Sequence, residues 1–266
     1  MYKLLLRFAV ASCLLAAALD SSALTAPSYN PGDSDLYFKL KLKVGDKIGN
    51  VFSRACSYKG DDFDEVVWRA SGTCVYTVLD NDPDKPVFSG TARYDGRKEH
   101  TGKVTIINKG RTNVHADGQS DDNTDASGIV YNSLLWGAPP ATLKAGVSWN
   151  VTMPGPWELG GPGVQKVTVI AADPKNHTIT LQREGDGTGF YDSDAKQVKV
   201  VKDGKTTLMD ITPGASHWIG ITIIKDGLVF SDELVVTRPI TLSAGDVKYT
   251  ADQREYILLN MMPVIN

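Results

Sequence analysis

Apolar and polar residues alternate along most of the chain, which is the period-two pattern of strands with one buried face. Val, Ile and Thr are frequent in these runs, as the packing of strands prefers. Short segments rich in Gly and Asp separate the runs and favour the positive φ values of tight hairpin turns. The predicted turns are Asp203-Gly204, Asp226-Gly227, Asp95-Gly96, Lys109-Gly110, Asp173-Pro174-Lys175-Asn176 and Ala244-Gly245.

Short hairpin connections join antiparallel neighbours in a sheet. Apart from the amino-terminal segment, no run of ten or more residues has helical spacing. We therefore predict an all-β protein whose antiparallel meander forms a curved sheet, a half-barrel or a barrel. Two β lobes are the alternative organisation.

A weak internal repeat supports that alternative. Residues 42–51 begin Leu-Lys-Val-Gly and resemble residues 143–151, which begin Leu-Lys-Ala-Gly. Each copy predicts a turn followed by a strand that opens a new sheet. Between the copies lie a polar stretch and Pro139-Pro140, which is incompatible with a central strand. These features predict an N-terminal β region at 24–135 and a C-terminal β region at 136–266, unless the two form one continuous domain.

The amino terminus has the pattern of a secretory signal. Lys3 and Arg7 precede an uncharged run at 8–19, which is 12 residues long. A membrane-spanning helix needs about 20 apolar residues, so this run is too short to be one. Small residues end at Ala23, which predicts a signal peptide at 1–23. The remaining chain is expected to be periplasmic or secreted, with no transmembrane span after the signal is removed.

Two cysteines, Cys56 and Cys74, remain after that cleavage. In an oxidising compartment an even number of cysteines suggests a bridge. The sequence therefore predicts a Cys56–Cys74 disulfide, worth about 3 kcal/mol for a loop of this size. A redox or metal pair is the alternative, although there is no Cys-x-x-Cys spacing and no adjacent histidine.

The charge and composition of the chain exclude one class of binding partner. Lys and Arg number 28 against 31 Asp and Glu, which gives a net charge of −3, and there is no basic tract. A nucleic-acid partner would need a Lys/Arg surface for its phosphates, so none is expected. No cofactor is expected, because the sequence contains no complete cofactor-binding motif.

Catalytic motifs are incomplete. Ser216-His217 would need a second Gly to form a nucleophile elbow, but Trp218 takes that position. Adjacent strand residues also point to opposite faces, so these two side chains are not expected to exchange a proton. An envelope hydrolase that uses acidic loop residues between Asp186 and Asp194 remains a minor alternative.

Two loops carry candidate contact residues. Asp121, Asn123 and Asp125 place oxygen atoms at alternate positions, as at the start of a calcium loop, but the later Gly and Glu of the hand motif are absent. This predicts either a weak calcium site or a solvated loop. Trp157 lies in a segment rich in Gly and Pro, where it would contact a ligand or partner, or cap the core.

The Leu-Lys-x-Gly-x-x-Trp segment at 143–149 and the paired strands that follow it, up to Glu184, resemble a group of exported bacterial proteins of unknown function. This resemblance implies a curved half-barrel sheet similar to that of the lipoprotein carriers. It also implies a concave apolar face able to hold a lipid-like ligand. It implies no catalytic residues.

The expected function is therefore that of an exported, non-catalytic β-sheet protein that binds an apolar or amphipathic ligand on its concave face. The alternative is an interaction or structural protein of the cell envelope. Such a protein would contact another envelope protein through its sheet edges or the Trp157 loop.

Overall fold

A computed structural model of the chain describes residues 33–82, 86–96, 100–107, 110–114, 120–123, 136–153, 162–188 and 196–262. Within these ranges there are one short helix and fourteen strands. In chain order they are α1 (Asp33–Phe38), β1 (Lys47–Lys59), β2 (Val66–Asp80), β3 (Val87–Tyr94), β4 (His100–Ile107), β5 (Gly110–Val114), β6 (Ser120–Asn123), β7 (Ser148–Met153), β8 (Gly163–Asp173), β9 (Thr178–Gly187), β10 (Gln197–Lys202), β11 (Lys205–Pro213), β12 (Ser216–Lys225), β13 (Leu228–Ala244) and β14 (Val247–Met262).

All the strands belong to one antiparallel sheet. Its order is β6-β5-β4-β3-β2-β1-β14-β13-β12-β9-β8-β7, and the β10–β11 hairpin joins this path through β13. In the described part of the chain, β6 and β7 form the two ends of the path and do not pair with each other. The all-β class and the curved antiparallel meander predicted from the alternating pattern are confirmed.

The two clearest predicted turns have the expected backbone. Asp203 and Gly204 have φ of 51° and 76°, and Asp226 and Gly227 have 52° and 82°. Positive φ at both central residues is the signature of the hairpin turn whose twist matches that of its strands. The first turn connects β10 to β11 and the second connects β12 to β13.

The internal repeat is a structural repeat. Gly45 and Gly146 have φ of 93° and 87°, and their amides donate to the carbonyls of Val78 and Val169 at 2.9 and 2.8 Å. Each turn opens a meander of six strands within the main path, β1 to β6 in one case and β7, β8, β9, β12, β13 and β14 in the other. The expectation that each copy opens a new sheet is wrong, because β14 pairs with β1 over eleven residue pairs.

The inner face of the sheet carries two apolar clusters. The main core joins side chains from both meanders, and Trp218 of β12 is fully buried in it. A Cβ on Gly185 would lie 2.5 Å from the Trp218 ring, so this position has to be glycine. The second core lies under the β10–β11 hairpin; its buried members are Cys56, Tyr58, Val198, Val200, Met209, Ile240, Leu242 and Ala251.

Helix α1 was not predicted. It is too short for a helical period to be visible in the sequence, although Asp33 and Asp35 are suited to the amino end of a helix. Tyr37 and Phe38 are buried in the main core, and Phe38 stacks on Trp136 with 5.2 Å between ring centroids. The helix is therefore held by tertiary packing.

The predicted disulfide is wrong. Cys56 and Cys74 are both free and buried, on the neighbouring strands β1 and β2. Cys56 lies opposite Trp68 while Cys74 lies opposite Asn50, so the two are six residues apart along the ladder. That separation is about 20 Å at the usual rise of a strand. A disulfide needs its Cα atoms within about 7 Å.

The chain without residues 1–23 should therefore behave as a protein with two protected thiols. We expect no reaction with a thiol reagent in native buffer and two reactive thiols after denaturation without reductant, since both sulfurs are buried. Mass spectrometry after alkylation measures both states. Two unreactive sulfurs in denaturant would instead indicate a bridge and would contradict the register of β1 and β2.

Candidate functional site

The sheet branches at one point on β13. The first part of β13 pairs with β12 as far as Thr237, and the later part pairs with β11 from Ile240 onward. Between these ladders the chain passes from β11 to β12, and the Gly214 amide donates to the Pro239 carbonyl at 2.7 Å. Pro239 itself has no amide hydrogen to offer, which suits a position where a ladder changes partner.

An open cavity of about 480 Å³ lies at this branch point, and we call it the outer groove. Pro239 and Asp252 are exposed while Ile240 and Ala251 beside them are buried, which places the groove on the outer face of the sheet. Four strand segments, the loop after β1 and the link between β11 and β12 contribute its lining: Lys59, Gly60, Asp61, Thr212, Pro213, Gly214, Pro239, Ile240, Thr241, Thr250, Ala251 and Asp252.

The lining of the outer groove is mixed in character. Lys59 of β1 lies opposite Asp252 of β14, which in turn lies opposite Pro239 of β13. One ammonium and the carboxylates of Asp61 and Asp252 therefore border the apolar ring surfaces of the prolines. Such a set offers hydrogen bonds, charge and apolar contact to a bound molecule.

A buried polar layer lies close to the groove, on the inner face. Arg54 of β1, Arg238 of β13 and Glu255 of β14 occupy inward positions between the main core and the second core. Arg54 forms an ion pair with Glu255, and Arg238 Nη2 lies 4.0 Å from the other carboxylate oxygen of Glu255. Burial lowers the pKa of Arg238, and Glu255 opposes that shift.

Cys56, a member of the second core, lies next to this layer and is not a candidate nucleophile. The Gln253 amide nitrogen donates to its sulfur at 3.3 Å. Burial, and then the charge of Glu255, raise the pKa of the Cys56 thiol. Burial likewise raises the pKa of Tyr58. Because reactivity requires the thiolate, the layer holds Cys56 in its unreactive form.

The Ser216-His217 pair is divided between the two faces of β12, as its strand position predicts. Ser216 is buried and His217 is exposed. His217 Nδ1 instead lies 2.9 Å from Asp186 Oδ1, in an exposed contact. The described residues therefore contain no contact between this serine and this histidine.

Two of the four loop candidates lie within the described residues and two lie outside them. Asp121 and Asn123 lie on β6, while Asp125 and Trp157 lie outside the described residues. Among the residues that are described, no group of three or more His, Cys, Asp and Glu side chains is arranged to hold a metal ion.

The groove residues were missed because they come from four separate segments of the sequence, the first of which lies far from the others. One local signal was available: Pro239 interrupts an alternating run that would otherwise be a central strand. A proline in such a run indicates an irregular position in the ladder. It does not reveal which other segments meet there.

Within the described ranges, no helix has the length and apolar content to cross a membrane.

No family model and no curated protein matches the chain. Two solved structures resemble it weakly. One is a multiply substituted porin of Rh. blastica, 8% identical, with 80% of this chain and 100% of the porin aligned and a TM-score of 0.25. The other, titled "Asymmetric conductivity of engineered proteins", is 7% identical over 82% of this chain and 100% of its own, with a TM-score of 0.20. At TM-scores this low neither structure is evidence for the fold. The assignment of the protein to the all-antiparallel-β class rests on its own strand ladders.

Proposed function

We propose that this protein is exported and binds a small amphipathic ligand in the outer groove, without catalysing a reaction. The observation that carries the proposal is the groove, whose volume is about 480 Å³ and whose lining is both apolar and charged. Small-molecule sites typically enclose about 300–1,000 Å³ and combine apolar surface with a few polar groups.

The groove suits a ligand better than the concave face does. The inner side chains of β8 and β9, such as Val167, Ile179 and Leu181, are fully buried against one another. A ligand bound there would have to displace core side chains and lose their packing. A ligand in the outer groove displaces only solvent.

Export is supported by the pattern of residues 1–23, in which Lys3 and Arg7 precede a short uncharged run. The resemblance of residues 143–149 to exported bacterial proteins supports it as well.

The probe for the test is 1-anilinonaphthalene-8-sulfonate, which has an apolar ring system and one anionic group. We expect saturable, blue-shifted fluorescence when the natively purified protein is titrated with this probe. Thr250 lies in the groove with an exposed side chain, so Thr250→Trp should fill the groove and weaken binding by about tenfold or more.

Arg254→Trp is the matched control, because Arg254 is exposed on the same face of β14 but does not line the groove. It should leave the affinity unchanged. Equal binding by wild type and Thr250→Trp would place the probe elsewhere and remove the proposed site.

A further inference from the structure

The outer face of the sheet carries a strip of apolar side chains at its centre. Ile219 and Ile221 of β12 are 43% and 40% exposed. Val235 of β13 and Tyr256 and Leu258 of β14 are half-buried beside them. We call these five residues the outer strip. Antiparallel sheets usually turn polar residues toward water, so an aliphatic centre on the outer face indicates a surface that is covered by something.

The strip lies along one register row that ends in opposite charges. Ile219 lies opposite Val235, Val235 opposite Tyr256, and Tyr256 opposite Ala55 of β1. The row continues on one side to Glu184 of β9 and on the other side to Arg69 of β2, and both are exposed. Across six neighbouring strands the row therefore begins with an acidic side chain, continues with apolar side chains and ends with a basic one.

We propose that the outer strip is the contact between two copies of this chain. Under a two-fold axis parallel to the strands and passing between β13 and β14, Val235 of one copy faces Tyr256 of the other. The same axis places Glu184 of each copy against Arg69 of its partner copy. A two-fold contact needs such a self-complementary surface, and the charge order of this row supplies it.

The carboxylate of Glu233 lies within the area of the strip and has a hydrogen-bond partner there. The Tyr256 hydroxyl donates a hydrogen bond to Glu233, which lies between Ile221 and Leu258 in the next row. This bond is the main reason that the pKa of Tyr256 is raised to about 12. Because Glu233 has this partner, covering it on dimerisation does not leave its carboxylate without a hydrogen bond.

The size of the strip predicts a weak dimer. The six strands of the charged row and the two register rows that the strip occupies measure about 24 Å by 7 Å between Cα atoms at the usual spacings of a sheet. Standard stable interfaces bury about 800 Å² on each partner, which is more than this strip offers. The expected behaviour is a monomer–dimer equilibrium with a dissociation constant of about 10–100 μM.

Sedimentation equilibrium of the full-length protein at several concentrations tests the proposal. We expect dimer to form as concentration rises and Ile219→Lys to weaken it by about tenfold or more, since a charge would be placed in the apolar centre. Leu208→Lys is the matched control, because Leu208 of β11 is 52% exposed but lies outside the strip. It should dimerise as wild type does.

A second test, which does not depend on the folding of Ile219→Lys, exchanges the charges of Glu184 and Arg69. Glu184→Arg alone should weaken the dimer about threefold, as expected for an exposed pair, and addition of Arg69→Glu should restore it. Failure of the second change to restore association would overturn the two-fold arrangement. A monomer at every concentration, or a different protein bound to this face, would overturn self-association itself.

Discussion

Replacement of Arg183 by methionine is expected to destabilise the folded protein by about 3–5 kcal/mol, the usual cost of removing one partner from a buried ion pair. Arg183 is fully buried on the inner face of β9. Its Nη2 donates to both carboxylate oxygens of Asp232 at 2.6 and 2.8 Å, and its Nε donates to the Thr222 hydroxyl at 2.6 Å.

This network connects four strands. Besides Thr222 of β12 and Asp232 of β13, Arg183 reaches the side-chain oxygen of Gln165 on β8 at 3.4 Å, and Trp218 donates to the same oxygen at 3.1 Å. Without the guanidinium, Asp232 keeps a buried charge with no counter-ion. That uncompensated charge, rather than the lost contact, is the main cost.

Denaturant unfolding measures the effect as a lower midpoint with an unchanged slope. The double variant Arg183→Met/Asp232→Leu removes both charges and should recover most of the stability. Arg254→Met, at an exposed arginine, should change stability by less than about 0.5 kcal/mol. A cost below 1 kcal/mol for Arg183→Met would mean that the pair does not stabilise the sheet.

Two glycines in equivalent turns are expected to differ sharply when replaced by alanine. Gly204 and Gly227 each follow an aspartate and have φ of 76° and 82°. A Cβ on Gly204 would meet no atom within 4 Å. Gly204→Ala should therefore cost only the left-handed backbone penalty of about 1–2 kcal/mol.

Gly227→Ala should cost about 1–3 kcal/mol more, as overpacking does. Its Cβ would lie 2.6 Å from the backbone of Lys39 and Leu40. The Gly227 amide also donates to the Tyr37 carbonyl at 2.8 Å. Alanine would therefore push the segment after α1 away from the sheet and loosen the packing of Tyr37 in the main core.

Thermal or denaturant unfolding of both variants gives the difference directly, and hydrogen exchange locates it. Amides of residues 37–42 should exchange faster in Gly227→Ala and at the wild-type rate in Gly204→Ala. If both variants lost the same stability, the close approach of this segment to the turn would not be a stabilising contact.

The strands and turns could be predicted because their signals are local. Asp203-Gly204 and Asp226-Gly227 specify their turns through their own backbone preferences, and alternation specifies which residues of β12 face inward. The repeat at Gly45 and Gly146 was also visible, since the same turn requires the same short sequence. Helix α1 was missed because burial of Tyr37 and Phe38, rather than helical periodicity, holds it in place.

The distance between the two cysteines was not predictable from local sequence. Cys56 and Cys74 were expected to be bonded because both were predicted on strands of a chain expected to be exported, and they do lie on adjacent strands. Their distance depends on the register of β1 against β2, which is set by packing along the whole ladder.

Local patterns of polarity and backbone preference were thus sufficient for the class of the fold and for the hairpins that build it. Tertiary structure alone decided the separation of the thiols, the Arg183–Asp232 pair and the outer groove. Lys59 and Asp252 lie far apart in the sequence and meet only because β14 pairs with β1. A contact of this kind is fixed by how strands are ordered and registered in the sheet, and neither residue's neighbours in the sequence carry that information.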